Sequence, residues 1–591
     1  MKARTMNLFA QFEIRLHSIL SDLQGVGVLP ADIGFDNVTV EPPRDAAHGD
    51  IATNAAMVLC KQASMPPRDL AAQIVDRLAL EADIERADIA GPGFVNVTFK
   101  TEVWSALVPA ILGAGEAYGV ADIGNGISVN LEYVSANPTG PMHVGHARGA
   151  VFGDALARLL ERAGYTVLRE YYINDAGSQV DVLACSALLR AREALGEDIG
   201  EIPAGLYPGD YLVPVGKALA EAEGGALFDK DETAQIAIAK QVVLPMMMDM
   251  IRDDLAALGI AHAYFLSEQS LHDNGAVDAA FDALQAQELI YHGVLEPPKG
   301  KEPPPDWEPQ PQWLFRAQQF GDDSDRALKK SDGSWTYFAP DIACHFDKFQ
   351  RGFTRMIDVW GADHIGYIKR MKAAVSAITQ GEAQLDVKVC NLVKLQRGGE
   401  PVKMSKRSGD FVTLREVVDE VGRNAVRFMM LTRRNDATLD FDFDLVKQQS
   451  RDNPVFYVQY AHARIHSVLR NAEDAGFAPD DVSVAALSKA DASLLNAPEE
   501  IALAKVLGVY PRSLLAAATA LEPHRLAFYL QDLAAAFHGL WTRGKEEPAL
   551  RFIQDDNREL TAARLALLRA TAIVLSNGLD VIGVEPETEM R

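Results

Sequence analysis

The stretch Ser135–Gly164, "SANPTGPMHVGHARGAVFGDALARLLERAG", decides the fold. It follows "ISVNLEYV", an apolar-rich strand pattern from Ile127, and crosses a loop shaped by Pro138, Gly140, Pro141 and Gly145. A helical apolar pattern then starts at about Ala147 and stops at Gly164. "TVLREYYIN" reads as the next strand, giving a strand–helix–strand unit of the parallel-sheet kind. A loop leaving a strand and entering a helix aims free backbone N–H groups and the positive end of a dipole at the crevice, where anions collect. His143 and His146, three apart on that turn, can point to one side and donate to phosphate oxygens. Gly145 has no side chain, which would let a flat base approach the backbone. The plainer reading is two satisfied polar residues at a helix start. Metal binding is weakly indicated, because H-x-x-H stands without a neighbouring acid or cysteine ligand.

Working outward, the 591 residues exceed what one core holds and suggest roughly three or four units. No continuous apolar run approaches the ~18 residues of a membrane span. The opening "MKARTMNLFAQFEIRLHSILSDL" reads as an amphipathic helix and not a signal, so no membrane association and a cytoplasmic location are expected. Cys60, Cys185, Cys344 and Cys390 lack C-x-x-C spacing and are expected as reduced core residues, with no zinc cluster and no disulfide framework. The net charge of −25 argues against a polyanionic partner, yet Asn391–Asn435 carries ten Lys/Arg against five Asp/Glu. One basic surface can still grip phosphate.

The expected architecture is α/β: a Rossmann-like parallel-sheet catalytic domain over 121–453, with an insertion at about 200–335. An N-terminal α+β module precedes it over 1–120, and an all-α helical bundle follows over 454–591. The proline-rich "EPPKGKEPPPDWEPQPQWLF" from Glu296 reads as an exposed excursion within the catalytic domain.

"HVGH" resembles the HIGH sequence of the class I aminoacyl-tRNA synthetases and related nucleotidyltransferases. The companion lies 257 residues after His146, where Lys403, Met404, Ser405 and Lys406 match the KMSK loop of that class. The resemblance implies that the two lysines hold the β- and γ-phosphates of ATP, with flanking glycines as hinges. Two longer stretches, "LEYVSANPTGPMHVGHARGAVFGDALARLLERAGY" and "LKKSDGSWTYFAPDIACHFDKFQRGFTRMIDVWGADHIGYIKRMKAA", narrow the resemblance to the bacterial arginyl-tRNA synthetases, over essentially the whole chain.

That resemblance implies an arginine–tRNA ligase: arginine attacks the α-phosphate of ATP, and the arginyl group then passes to the terminal adenosine of tRNA(Arg). His143, His146, Lys403 and Lys406 would be catalytic. ATP would meet Ala136, Asn137, Pro138, Thr139, Gly140, Pro141, Met142, Val144 and Gly145, with Met404 and Ser405, and Mg²⁺ would accompany it. Arginine would be held by Glu132, Ser135, Asn137, Tyr337 and Asp341, with either Asp363 or His364 completing the pocket. A carboxylate accepting two parallel N–H bonds is the natural partner of a guanidinium. Arg423, Arg427, Arg433 and Arg434 are expected on tRNA, and a monomer is expected. Cysteinyl enzymes need a zinc cluster that the cysteine spacing denies. Editing enzymes need a second domain, because one methylene discriminates by only about 1–3 kcal/mol. A nucleotidyltransferase without RNA and a non-catalytic tRNA-binding relative remain as alternatives.

Overall fold

Five parallel strands form the central sheet, in the order Gln384–Cys390, Arg355–Gly361, Ser128–Glu132, Thr166–Ile173, Tyr264–Ser267. This is a computed structural model describing residues 7–295, 310–402 and 412–590. The first strand in the chain lies in the middle. Later strands add on one side and then, after a long excursion, on the other, so the order reverses beside Ser128–Glu132. A crevice at the carboxyl ends of strands is expected at such a switch point. Val129, Asn130 and Leu131 are wholly buried, as suits a strand covered on both faces.

The helix Val144–Arg162 begins three residues earlier than its apolar period suggested. His143 supplies the reason: its ring accepts the Gly145 N–H at 3.0 Å and so caps the first turn. Gly153 lets this helix lie against the sheet, since an added Cβ would stand 2.3 Å from the Tyr133 ring.

The N-terminal module pairs the helix Leu8–Gly25 with a four-stranded antiparallel sheet. In "HGDIATN", Asp50 accepts the Phe99 N–H at 2.9 Å and meets Lys505 of the C-terminal helices at 2.6 Å. The helices Thr101–Ser105 and Leu107–Ala114 pack on Pro498–Ala520 and Arg558–Val581, and Tyr118 donates to the Leu507 carbonyl at 3.0 Å. Residues placed in the N-terminal module by sequence thus pack against the bundle. The excursion also begins before residue 200, because the helices Ser178–Ala194, Val213–Glu223 and Glu232–Ala257 pack around their own small cores. Residues 296–309 of the proline-rich stretch lie outside the described residues. The strands flanking it, Ile290–Gly293 and Gln312–Phe315, pair antiparallel.

Four helices, Pro454–Asn471, Pro498–Ala520, His524–Glu546 and Arg558–Val581, form most of the C-terminal bundle. Two of them, together with Glu232–Ala257, are long and apolar enough by length and composition to cross a membrane. The sequence reading missed these segments because it looked for unbroken apolar runs, whereas alanine raises the average hydropathy of helices that still carry charges. The windows in Pro498–Ala520 and Arg558–Val581 are 56% and 78% buried within the protein, that in Glu232–Ala257 only 28%. Cys344 and Cys390 are core residues as expected; Cys60 and Cys185 are half-buried.

Candidate active site

The loop between Glu132 and Val144 carries strain where the chain turns. Val134 and Ser135 adopt positive φ (74° and 39°), an unfavourable region for a β-branched residue. Two phenols, one buried and one half-buried, and an acid stake the loop down: Tyr171 donates to the Ala136 carbonyl and Tyr211 to the Thr139 carbonyl, both at 2.8 Å, while Asp254 accepts the Met142 N–H at 3.0 Å. None of these three stood out in the sequence, because each comes from a distant element.

The histidine rings stack with centroids 3.8 Å apart. Nδ1 of His143 accepts from Gly145 N–H, and Nδ1 of His146 accepts from His143 N–H at 3.3 Å. With both Nδ1 atoms used as acceptors, the neutral rings carry their proton on Nε2, as donors. The space over Gly145 is taken by His143 itself, since an added Cβ would lie 2.7 Å from that ring.

Two cavities meet at this loop, sharing Asn137. The first, about 320 Å³, is lined among others by Glu132, Ser135, Asn137, Tyr172, Asp341, His345, Asp358, His364 and Tyr367. The second, about 630 Å³, is lined by Ala136, Thr139, Gly140, Pro141, Met142, His143 and His146 on one side and by Gln179, Tyr207, Tyr211, Thr413 and Glu416 on the other. Pro138 and Val144 are buried and do not line it; only the Val144 backbone is engaged, donating to Val412 O at 3.4 Å. Lys403, Met404, Ser405 and Lys406 lie outside the described residues. The chain that resumes after them is bonded straight to the histidine loop, with Leu414 N–H donating to Met142 O at 2.7 Å and Thr413 bridging His143.

The first cavity is anionic. Burial pushes the Asp341 carboxyl up to about 6, while Tyr367, donating at 2.6 Å, and His345 oppose that. Burial also raises Glu132, countered chiefly by Lys348. At Asp358 burial is outweighed by Lys348 and His345, which hold its carboxyl at about 2. Ser135 Oγ donates to Glu132 at 3.0 Å and accepts from Tyr172 N–H at 3.1 Å. Of the pair left open by sequence, His364 lines the cavity; Asp363 sits outside it, 3.4 Å from the His364 ring. Tyr337 is 76% exposed and turned away, and Tyr367 is the tyrosine on Asp341. His345, Lys348 and Asp358 were missed by sequence. The signal available was spacing: Asp341, His345 and Lys348 stand at i, i+4 and i+7 on the helix Phe338–Gln350, an ionisable stripe along one face.

The basic patch divides. Arg427 is wholly buried, pairing with Asp154 at 2.5 Å and donating to the Ile582 and Leu258 carbonyls at 3.0 and 2.9 Å, so it ties the catalytic helix to the bundle and cannot reach RNA. Arg423 lies 3.4 Å from Glu585, and Arg433 and Arg434 are exposed. A further cavity of about 920 Å³ opens in the bundle, presenting Tyr457, Tyr460, Arg464 and Arg543.

Comparison with known proteins agrees with this layout. Three family models match: the arginyl tRNA synthetase N terminal domain over 12–99, the class I (R) tRNA synthetase catalytic domain over 107–200, and the DALR anticodon binding domain over 458–590. An arginine–tRNA ligase of Parvibaculum lavamentivorans is 60% identical over 99% of this chain and 100% of its own length. That of Nitrobacter hamburgensis is 58% identical over 99% of each. Among solved structures, an arginyl-tRNA synthetase of Campylobacter jejuni superposes with a TM-score of 0.71 at 32% identity, over 83% of this chain and all of that one. The Thermus thermophilus enzyme shares the fold, with a TM-score of 0.71 at 22% identity over 98% of this chain and all of that one. The chain belongs to the arginine–tRNA ligases, the arginyl branch of the class I aminoacyl-tRNA synthetases.

Proposed function

We propose that this enzyme, an ATP-dependent arginine–tRNA ligase, seats L-arginine in the 320 Å³ cavity and the phosphates of ATP in the adjoining cleft. The observation that carries the reading is their junction at Asn137, which brings a carboxylate-lined pocket up against a pair of imidazole donors. Glu132 and Asp341 take the guanidinium, while Ser135, Asn137 and His364 lie around the rest of the amino acid. ATP enters as its Mg²⁺ complex. An oxygen of the arginine carboxylate attacks the α-phosphorus as the bond to the β-phosphate oxygen breaks, and pyrophosphate leaves. His143 and His146 donate from Nε2 to the reacting phosphate, where preset donors are worth about a hundred- to a thousandfold. Lys403 and Lys406 follow the departing pyrophosphate. A hydroxyl of the terminal adenosine then attacks the arginyl carbonyl carbon, and AMP leaves.

Of the basic patch, Arg423, Arg433 and Arg434 would meet tRNA, the first and last by exchanging their ion pairs with Glu585 and Asp436 for phosphate; Arg427, being buried, would not. In the bundle, Tyr457 and Tyr460 offer ring faces and Arg464 and Arg543 offer charge, a combination suited to stacked bases of the anticodon loop. The enzyme is expected to work as a monomer in the cytoplasm. Arginine-dependent exchange of pyrophosphate into ATP, run with and without tRNA(Arg), tests the reading. Exchange is expected with arginine and not with citrulline, its neutral isostere; exchange indifferent to the amino acid would contradict it.

A further inference from the structure

Lys348 has no exposed side-chain surface. Its Nζ lies 2.6 Å from Glu132 Oε2 and 3.3 Å from Asp358 Oδ1. The other Asp358 oxygen is 2.9 Å from His345 Nε2, and His345 Nδ1 is 2.8 Å from the Asp341 carbonyl. A carbonyl only accepts, so Nδ1 carries a proton; Asp358 is ionised, so Nε2 carries one too. His345 is therefore an imidazolium, and its carboxylate neighbour raises its pKa against the opposing effects of burial and Lys348. At this cavity three carboxylates, Glu132, Asp341 and Asp358, meet two resident cations.

We infer that Lys348 is a positioning residue for arginine selection: its buried ammonium pins one oxygen each of Glu132 and Asp358 and, with the His345 imidazolium, leaves the cavity a single negative charge for the guanidinium to neutralise. The inference rests on the assignment of Glu132 and Asp341 to arginine. Without Lys348, Glu132 loses the donor that fixes its plane, and two neighbouring carboxylates repel. A buried carboxylate left so exposed to its own kind takes up a proton and loses the charge that would hold the guanidinium.

The test uses the full-length enzyme in tRNA charging, with Lys348→Met and Lys348→Gln. Both are expected to raise the arginine KM about tenfold or more while the ATP KM moves by less than about twofold. In a Glu132→Gln background, Lys348→Met should raise the arginine KM by a smaller factor than it does alone, since part of the lysine's effect runs through that carboxylate. An arginine KM that is unchanged or lowered, an equal rise in the ATP KM, or effects that multiply in the double variant would overturn the inference. Loss of folding in both lysine variants, read by circular dichroism, would overturn it as well, assigning the lysine to structure alone. Glu132→Gln and Asp341→Asn separate the two layers. If they leave the arginine KM unchanged, the pocket assignment itself is lost; if they raise it while Lys348→Met does not, only the role of Lys348 is lost.

Discussion

On the proposed function, the two cavities that share Asn137 would recognise charge by opposite means. The proposed arginine cavity relies on side chains drawn from two strands, a helix and the segments that follow two of the strands, fixed to one another: Glu132 to Lys348 and Ser135, Asp358 to His345, Asp341 to Tyr367. The nucleotide cleft relies on one loop, its backbone, and two rings held by main-chain N–H groups, facing a wall from the excursion and the segment around Thr413. A fixed cation of known shape would be matched by a closed ionic lattice. A triphosphate that changes during reaction would be met by donors at a helix start. Damage to the first should appear in substrate affinity, and damage to the second in turnover.

His146→Ala tests the cleft and should have the largest effect, lowering the rate of arginyl-adenylate formation about a hundred- to a thousandfold in single-turnover measurements, with the arginine KM little changed. A change confined to KM would erase the distinction. Asp341→Asn tests the cavity and should raise the arginine KM on the order of a hundredfold with the ATP KM retained, because one partner of a buried charge pair is removed. An unchanged arginine KM would take Asp341 off the guanidinium. The distinction sharpens with pH. Asp341 has its carboxyl raised to about 6 by burial, so it is ionised above that value and gains a proton below it. Binding a cation needs the ionised form, so kcat/KM for arginine should fall as pH drops through about 6, and Asp341→Asn should abolish that limb. The smallest effect lies outside both cavities. Arg433→Ala and Arg434→Ala should each weaken tRNA binding modestly and reduce its salt dependence by about one unit of log–log slope, leaving the arginine KM alone.

The cleft was far more legible in the sequence than the cavity, and the physical reason is the same contrast. A site built from one loop's backbone leaves a contiguous trace: Pro138, Gly140, the paired histidines and the apolar helix period are all visible together. A site built from buried side chains scatters its members. His345 and Lys348 read as ordinary polar positions on a surface helix, since nothing local says that their face meets Glu132 and Asp358 across the sheet. The opposite misreading occurred at Arg427, where a run of basic residues suggests an exposed patch. One of its members is spent inside the protein on Asp154, and the run carries no sign of which face turns inward. Tyr337 was placed by resemblance and faces solvent, while Tyr367 holds the position on Asp341. The sheet order could be anticipated only as a parallel unit; its reversal beside Ser128–Glu132 depends on pairings between strands more than two hundred residues apart.

On the proposed function, the histidine loop and the lysine motif serve one triphosphate. Pyrophosphate exchange by Lys406→Ala, in the presence of arginine and tRNA, tests it most directly. A fall of about a hundredfold or more is expected, with arginine and tRNA affinities unchanged. Exchange at the rate of the unaltered enzyme would contradict it.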